Sequence, residues 1–302
     1  MPASPLKLGL IGHPLSHSLS PLLHTELLRL AGLEGFYEAY PTPPEAVAEA
    51  FTRFRREAYT GINVTIPHKL AALTLVSQID PRARLVGAVN TVVFRPGGQT
   101  TGYNTDVSGF LRSLPESART SLQERPTLIL GAGGSARAVV AGLVESGIPE
   151  LTLAVRQPDR AKDLMTLAKT VAAGIPTMLP VRTLRWEPES APLLDLSKFR
   201  LVVNTSPVGM HPNATQTPLS PAALATLPAD ACVMDLVYRP DPTLLVANAQ
   251  AAGLSARSGL DMLLYQGVEA FSLWTGVTFS EEALAPVRQL LLDAARNVPD
   301  AP

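Results

Sequence analysis

The run Gly61-Ile-Asn-Val-Thr-Ile-Pro-His-Lys69 sets a lysine just past a short β-prone segment and a proline, in a chain with five lysines against twenty arginines. Arginine stays protonated at any biological pH, whereas a lysine's pKa moves with burial and neighbours until it can give and take a proton. With a carboxylate nearby, Lys69 is the first candidate for acid–base chemistry. Gly102-Tyr-Asn-Thr-Asp106 offers that carboxylate. Capping the helix that follows is the commoner role for such an aspartate, and the catalytic reading of Asp106 requires it to lie near Lys69.

A second constellation is Leu128-Ile-Leu-Gly131-Ala-Gly133-Gly134-Ser-Ala136. It follows a strand-like run and opens an amphipathic helix, so G-x-G-x-x-A stands in the context a dinucleotide site requires. Gly131 permits the tight turn, Gly133 admits a pyrophosphate to the backbone, and Ala136 allows close helix–strand packing, with Ala132, Gly134 and Ser135 in the same anion-facing loop. A turn that merely packs well is the plainer reading of such glycines. After the next strand, an acidic residue would accept bonds from the ribose of NAD, but this chain has Arg156 and, four residues on, Arg160. Two arginines fit a phosphate dianion and point to NADP(H).

Gly12-His-Pro-Leu-Ser16-His-Ser18-Leu-Ser20-Pro21 joins the first strand to the first helix. Ser20 before Pro21 reads as an N-cap with proline at N1, which leaves Ser18 unexplained. Two hydroxyls at a helix N-terminus also suit a carboxylate ligand. His13, His17 and His24 have no cysteine or acidic companion, so no metal is expected.

The elements that must position these residues alternate between strand and helix. Strands are expected at Leu6–Gly12, Phe36–Tyr40 and Gly61–Val64, and helices at Ser20–Leu30, Pro44–Arg56 and Pro67–Val76. Val89–Arg95 and Thr100–Tyr103 read as a hairpin across Pro96-Gly-Gly-Gln99. A connecting helix from about Val107 to Leu114 leads to Pro115–Pro126, read as a linker. From Thr127 the rhythm restarts with strands at Thr127–Leu130, Leu151–Val155, near Thr177–Val181, Leu201–Asn204 and Cys232–Leu236. Helices Gly134–Ser146, Asp159–Ala172 and Pro242–Ala252 lie between and after them, giving a doubly wound parallel sheet. Two last helices, Leu260–Trp274 and Glu281–Asn297, have no strand of their own and must dock on something already built.

At 302 residues the chain is long for one core, so two α/β domains are expected. These are residues 1–107 as a substrate-binding domain with a mostly parallel sheet and 108–259 as a Rossmann-like NADP-binding domain. Residues 260–302 return to the first domain, and the cleft between the domains holds both ligands. A net charge of −1 supplies no electrostatic footprint for nucleic acid or an anionic membrane. No signal peptide or membrane span is evident, and the single Cys232 reads as a packed thiol, so a cytoplasmic enzyme or binding protein is expected.

Six blocks in register carry a resemblance. His-Ser-Leu-Ser-Pro (17–21), Asn-Val-Thr-Ile-Pro-His-Lys (63–69), Gly-Ala-Val-Asn-Thr (87–91) and Asn-Thr-Asp (104–106) are followed by Gly-Ala-Gly-Gly-Ser-Ala-Arg-Ala (131–138) and Gln-Gly-Val-Glu-Ala-Phe-Ser-Leu-Trp-Thr-Gly (266–276). Together they resemble the shikimate dehydrogenases from about residue 8 to 276. The resemblance implies NADPH-dependent reduction of 3-dehydroshikimate to shikimate, with Lys69 and Asp106 catalytic. It assigns the substrate carboxylate to Ser18, Ser20 and Tyr238, and the ring hydroxyls and reacting oxygen to Thr65, Lys69, Asn90, Asp106 and Gln266. Asn204-Thr-Ser-Pro-Val-Gly-Met210 matches a loop that runs beside the cofactor, bringing in Thr205, and Leu236 and Gly259 match positions near the nicotinamide.

One departure stands out. The family usually has Asn-Arg-Thr where this chain has Val155-Arg156-Gln157, so one amide and one hydroxyl expected near the adenosine phosphate are missing while both arginines remain. A quinate dehydrogenase of the same architecture would share nearly every motif. A non-catalytic ligand sensor should lack the Lys69 or Asp106 chemistry or carry a DNA-binding module, and neither holds. The substrate is a small molecule, and a homodimer is the assembly left open.

Overall fold

The computed structural model describes residues 5–16, 18–174, 179–187, 196–211 and 213–297; His17 and the side chain of Arg160 lie outside this set. The chain divides into two compact units. The first comprises the residues up to Gly109 together with Leu263–Leu291, and the second comprises Phe110–Met262 with the segment from Leu292.

The first unit holds β1 (Leu6–Gly12), β2 (Gly35–Pro41), β3 (Gly61–Val64), β4 (Gln78–Ile79), β5 (Thr91–Phe94) and β6 (Thr100–Tyr103). They form one sheet in the order β2-β1-β3-β5-β6-β4. β1 runs parallel to β2 and β3, while β5 is antiparallel to both β3 and β6. Leu8, Leu10, Ile11, Ile62, Val64 and Val92 are buried, because helices cover the sheet and a covered parallel strand reads as a continuous apolar run. Helix Val47–Arg56 contributes Phe51 and Phe54 to the core beneath it. Burying each ring stabilises the unit by roughly 1.5–3 kcal/mol.

This topology brings separate stretches of sequence to one edge. The C-terminal ends of β1 and β3 lie beside the start of β5 and the end of β6, through the pairs Ile11 with Val64, Asn63 with Thr91, and Thr91 with Tyr103. The segments around Ser18, Thr65–Lys69, Asn90 and Asn104–Asp106 all leave the sheet there. Helix Leu260–Thr275 adds Gln266, and its Trp274 indole donates to the Val92 carbonyl at 3.0 Å.

The second unit holds β7 (Thr127–Leu130), β8 (Leu151–Val155), β9 (Val181–Arg185), β10 (Leu201–Asn204), β11 (Cys232–Asp235) and β12 (Ser255–Arg257). Their order is β12-β11-β10-β7-β8-β9, with every neighbouring pair parallel. The strand order reverses between β7 and β10, the crevice where doubly wound sheets bind ligands. Helices Gly134–Glu145, Asp159–Ala172 and Leu244–Ala251 follow β7, β8 and β11. Burial pushes the Cys232 thiol up from its ordinary pKa, as for a packed side chain. Among the described residues no helix is long and apolar enough to cross a membrane.

Several elements depart from expectation for physical reasons. Pro67–Val76 is not one helix; turns lead to a helix of only Ala72–Leu75. The Lys69 carbonyl accepts the Val89 N–H at 2.8 Å, which takes it out of the helical ladder, and the Leu73 N–H turns to Leu70 instead. The stretch 115–126 is no linker either, since helix Glu116–Arg119 and a 3₁₀ turn at Leu122–Glu124 bury Ala118 and Leu122. Arg125 binds the carbonyls of Arg200 and Asp230 at 3.0 and 2.9 Å, tying the stretch to the second unit. The strand expected near Thr177–Val181 lies at Val181–Arg185, paired along β8; Thr177 is outside the described residues. Short elements at Gln78–Ile79, Pro81–Val86, Pro221–Leu224 and Ser255–Arg257 had no periodic signal to reveal them.

Candidate active site

Lys69 and Asp106 meet. The lysine Nζ donates to Asp106 Oδ2 at 2.6 Å, and both side chains are about nine-tenths buried. The turn that carries Lys69 is anchored on one side by Val89, and on the other by His68, whose buried ring bonds the Thr42 carbonyl at 2.6 Å. Asp106 is the first residue of helix Asp106–Ser113 but does not cap it. Asn104 Oδ1 accepts the N–H groups of Asp106 and Val107 at 3.1 and 3.3 Å, which frees the Asp106 carboxylate to face the lysine.

A buried polar lattice surrounds the pair. Asn90 Nδ2 donates to Asp106 Oδ1 and Thr105 Oγ1 at 2.9 Å each, and to Gln266 Oε1 at 3.3 Å. Asn90 Oδ1 accepts from the Thr105 N–H at 2.8 Å and from the Thr91 hydroxyl at 3.2 Å, which sets the amide's orientation. Behind it, Asn63 donates to the Asn90 carbonyl and Thr91 Oγ1 at 3.2 and 3.1 Å, and accepts from the Tyr37 phenol at 2.8 Å. Gln266 reaches this lattice because helix Leu260–Thr275 approaches at Gly109, where an added Cβ would lie 2.7 Å from Gln266 Cβ. Ser108 and Glu269 join the same two helices by a hydrogen bond. Each carboxylate oxygen of Asp106 keeps acceptor capacity, and the Lys69 ammonium keeps two donors. A hydroxyl and a carbonyl of one small polar ligand would match them.

Ser18 and Ser20 lie at the start of helix Ser20–Ala31, but their local roles differ from those expected. Leu19 occupies the N-cap position without a side-chain bond, and Ser18 Oγ accepts the Ser20 N–H at 3.3 Å. Ser20 is therefore not the cap, because the helix already includes it, and its hydroxyl is not committed to one. Thr65 is half-buried, its backbone N–H held by the Ile11 carbonyl at 2.9 Å. His24 is fully buried and stacks on Tyr37 at 4.3 Å, and burial pushes its pKa down to about 3.

In the second unit, the glycine-rich loop leaves β7 at the crevice. Gly131 has φ +106°, and a Cβ there would lie 2.9 Å from the Thr205 hydroxyl. Thr205 in turn bonds the Leu130 carbonyl through both its N–H and its hydroxyl, at 2.8 Å each. Gly133 is the N-cap of the twelve-residue helix Gly134–Glu145 and supplies no side-chain cap, and a Cβ at Gly133 would meet nothing within 4 Å. The helix start thus faces open space with its first N–H groups uncapped by a side chain, as a pyrophosphate requires. Ala132, Gly134 and Ser135 are half-buried beside it, while Arg156 is exposed after β8. Leu236 and Gly259 come together, with the Gly259 N–H on the Val237 carbonyl at 3.1 Å, and Tyr238 is half-buried in the segment after β11. The residues present fit a dinucleotide.

A doubly wound sheet with a glycine-rich helix start at its switch point, in a chain whose other unit holds a buried lysine–aspartate pair among amides and hydroxyls, defines a nicotinamide-nucleotide-dependent oxidoreductase. Comparison with known proteins narrows the class. The model of the shikimate dehydrogenase substrate binding domain matches residues 10–92, and that of the shikimate 5'-dehydrogenase C-terminal domain matches residues 259–291. A shikimate dehydrogenase (NADP(+)) of Synechococcus sp. (strain JA-3-3Ab) is 43% identical over 96% of this chain and 93% of its own. One of Salinibacter ruber is also 43% identical, covering 88% and 90%. Among solved structures, shikimate 5-dehydrogenase from Thermus thermophilus in complex with NADP(H) and shikimate superposes with a TM-score of 0.77. It is 36% identical and covers 95% of this chain and 100% of that one. Shikimate dehydrogenase from Aquifex aeolicus gives 0.80 at 32% identity, covering 98% and 100%. The chain belongs to the shikimate dehydrogenase family.

Proposed function

We infer that this chain catalyses the NADPH-dependent, reversible reduction of 3-dehydroshikimate to shikimate, a step toward the aromatic amino acids. The observation that carries the chemistry is the 2.6 Å contact between Lys69 Nζ and Asp106 Oδ2 inside the Asn90–Gln266 lattice. NADPH, when bound, supplies the hydride.

Lys69 delivers a proton from its ammonium to the C3 carbonyl oxygen as that oxygen gains charge, and Asp106 holds the ammonium in place. Asp106 also accepts a bond from the neighbouring ring hydroxyl, while Asn90, Thr65 and Gln266 bind the hydroxyls with groups that can both donate and accept. The hydroxyls of Ser18 and Ser20 receive the carboxylate beside a helix N-terminus, and the Tyr238 phenol is assigned to that same carboxylate. Residues 1–107 with the returning helices of 260–302 bind the substrate, and 108–259 bind NADP(H). Gly131, Ala132, Gly133, Gly134 and Ser135 would hold the pyrophosphate, and Thr205, Leu236 and Gly259 would contact the nicotinamide end. Arg156 and Arg160 select the 2′-phosphate. A net charge of −1 offers no electrostatic footprint for nucleic acid or an anionic membrane, in keeping with a cytoplasmic enzyme whose partners are small molecules.

The test is NADPH oxidation by the purified protein with 3-dehydroshikimate, run beside NADH and beside the reverse reaction on shikimate and on quinate. NADPH should give the higher kcat/KM, and shikimate should outrun quinate. A preference for NADH would overturn the roles of the two arginines, and a preference for quinate would overturn the substrate.

A further inference from the structure

Asp235 is fully buried at the end of β11, a place where an apolar residue would cost less. Among the described residues no lysine or arginine pairs with it. Instead it collects three neutral donors from three elements. Oδ1 accepts from Asn204 Nδ2 at 2.8 Å and from the Val237 N–H at 3.1 Å, and Oδ2 accepts from the Thr243 hydroxyl at 2.7 Å. Asn204, its register partner on β10, uses its own oxygen to accept the Ser206 N–H and hydroxyl at 3.0 and 2.6 Å, and also donates to the Val208 carbonyl at 3.3 Å. Thr243 caps helix Leu244–Ala251 through the Val246 N–H.

Capping alone does not call for a buried carboxylate, since Ser220 caps helix Pro221–Leu224 with its own hydroxyl. What Asp235 adds is a link between two loops. One is 204–210, which leaves β10 at the switch point and carries Thr205; the other is 235–243, which leaves β11 and carries Leu236 and Tyr238. The Leu236 N–H already bonds the Asn204 carbonyl at 2.9 Å, so the side-chain network reinforces a junction the backbone begins.

We propose that Asp235 is a positioning residue for hydride transfer: acting through Asn204 and Thr243, it holds these two loops in the shape that presents Thr205 and Leu236 to the nicotinamide end of the cofactor. The proposal rests on the assignment of those two residues to the cofactor. It separates Asp235 from a residue needed only for folding, because loops displaced by even an ångström would misplace the reacting carbon while the helix start at Gly133 and Gly134, built on β7 and helix Gly134–Glu145, still binds the pyrophosphate.

The experiment uses the full-length protein and NADPH deuterated at the C4 hydrogen that is transferred. Asp235→Ala and Asn204→Ala should each lower kcat about tenfold or more and raise the isotope effect on kcat as hydride transfer becomes slower. NADPH affinity, read by its fluorescence, should change less than about threefold, and the double variant should be no worse than either single one. Asp235→Asn, which keeps the shape and the acceptor for Asn204 and Val237 and turns the Thr243 contact round so that the amide donates to the hydroxyl oxygen, should restore most of kcat. Thr127→Val, buried at the opposite end of β7 with its hydroxyl on the Arg125 carbonyl, should lower the melting temperature and leave kcat and the isotope effect alone.

An Asp235→Ala protein that loses only melting temperature, with kcat and isotope effect unchanged, would overturn the proposal. Should that variant fail to fold, Asn204→Ala carries the same decision. Leu236→Ala separates the two levels of the argument. If it alters NADPH kinetics while Asp235→Ala and Asn204→Ala do not, only the positioning role has failed. If all three are silent, the assignment of the loops to the cofactor has failed with it.

Discussion

Each unit buries an aspartate where its strands end, and the two carboxylates are held in opposite ways. Asp106 faces a cation, Lys69, at 2.6 Å, with Asn90 on its other oxygen. Asp235 faces only neutral donors, and burial pushes its pKa up to about 6 against the pull of the bonds from Thr243, Val237 and Asn204. The lesson is one of division of labour. A carboxylate paired with a lysine among unsaturated donors and acceptors can steer a proton toward a ligand, whereas one enclosed by its own loops can only fix their shape. The units also differ in what acid does to them, since the first encloses a neutral imidazole, His24, and the second a carboxylate with no cation beside it.

The largest effect should come from that difference. Unfolded histidine binds a proton near pH 6.5 but folded His24 only near 3, so its contribution to stability is complete above 6.5 and is lost as the pH falls toward 3. At 1.36 kcal/mol per unit this is up to about 5 kcal/mol. Urea unfolding of His24→Phe against the parent should show a gap that widens in the variant's favour across that window. A gap independent of pH would mean that folded His24 binds its proton at the same pH as the unfolded side chain, and so is not held neutral.

Next, Asp106→Asn leaves the Lys69 ammonium buried without a counter-ion and should cost about 3–5 kcal/mol in urea unfolding at pH 7.5. Asp235→Asn should do the reverse. Folded Asp235 keeps its proton to about pH 6 while an unfolded aspartate loses it near 3.8, so raising the pH through that window costs stability that stays lost above it. The variant, which has no such titration, should gain on the parent by up to about 3 kcal/mol between pH 3.8 and 6. Equal damage from the two amide substitutions at neutral pH would erase the contrast. The smallest effect concerns the substrate carboxylate. Ser18→Ala should raise the KM for 3-dehydroshikimate roughly tenfold with kcat little changed, the loss of one bond to a charged group. An unchanged KM would move the carboxylate elsewhere.

The two carboxylates were also unequally legible. Asp106 is legible through the six motif blocks, whose resemblance makes it catalytic together with Lys69, although the sequence holds no measure of the distance between them. Even so, its capping role had to be removed by Asn104, and only the fold shows that Asn104 does the capping. Asp235 lies inside the apolar run Cys232–Leu236, which reads simply as a buried strand; its meaning depends on Asn204, thirty-one positions away and adjacent only through strand pairing. His68 was hidden in the same way, since its partner is a loop carbonyl at Thr42. Periodic elements such as β1, β3, β7 and β8 have the bounds their apolar runs suggest. Pro67–Val76 does not, because a bond from Val89 diverts the Lys69 carbonyl, and no local pattern encodes it.

The central claim is that Lys69 donates the proton that accompanies hydride transfer, and chemical rescue of Lys69→Ala tests it most directly. With NADPH and 3-dehydroshikimate, kcat should fall by roughly 10²–10⁴-fold with KM within a few-fold of the parent, and added methylammonium should restore kcat in proportion to its concentration. A variant that keeps kcat, loses only KM and ignores the amine would make Lys69 a binding residue and contradict the account.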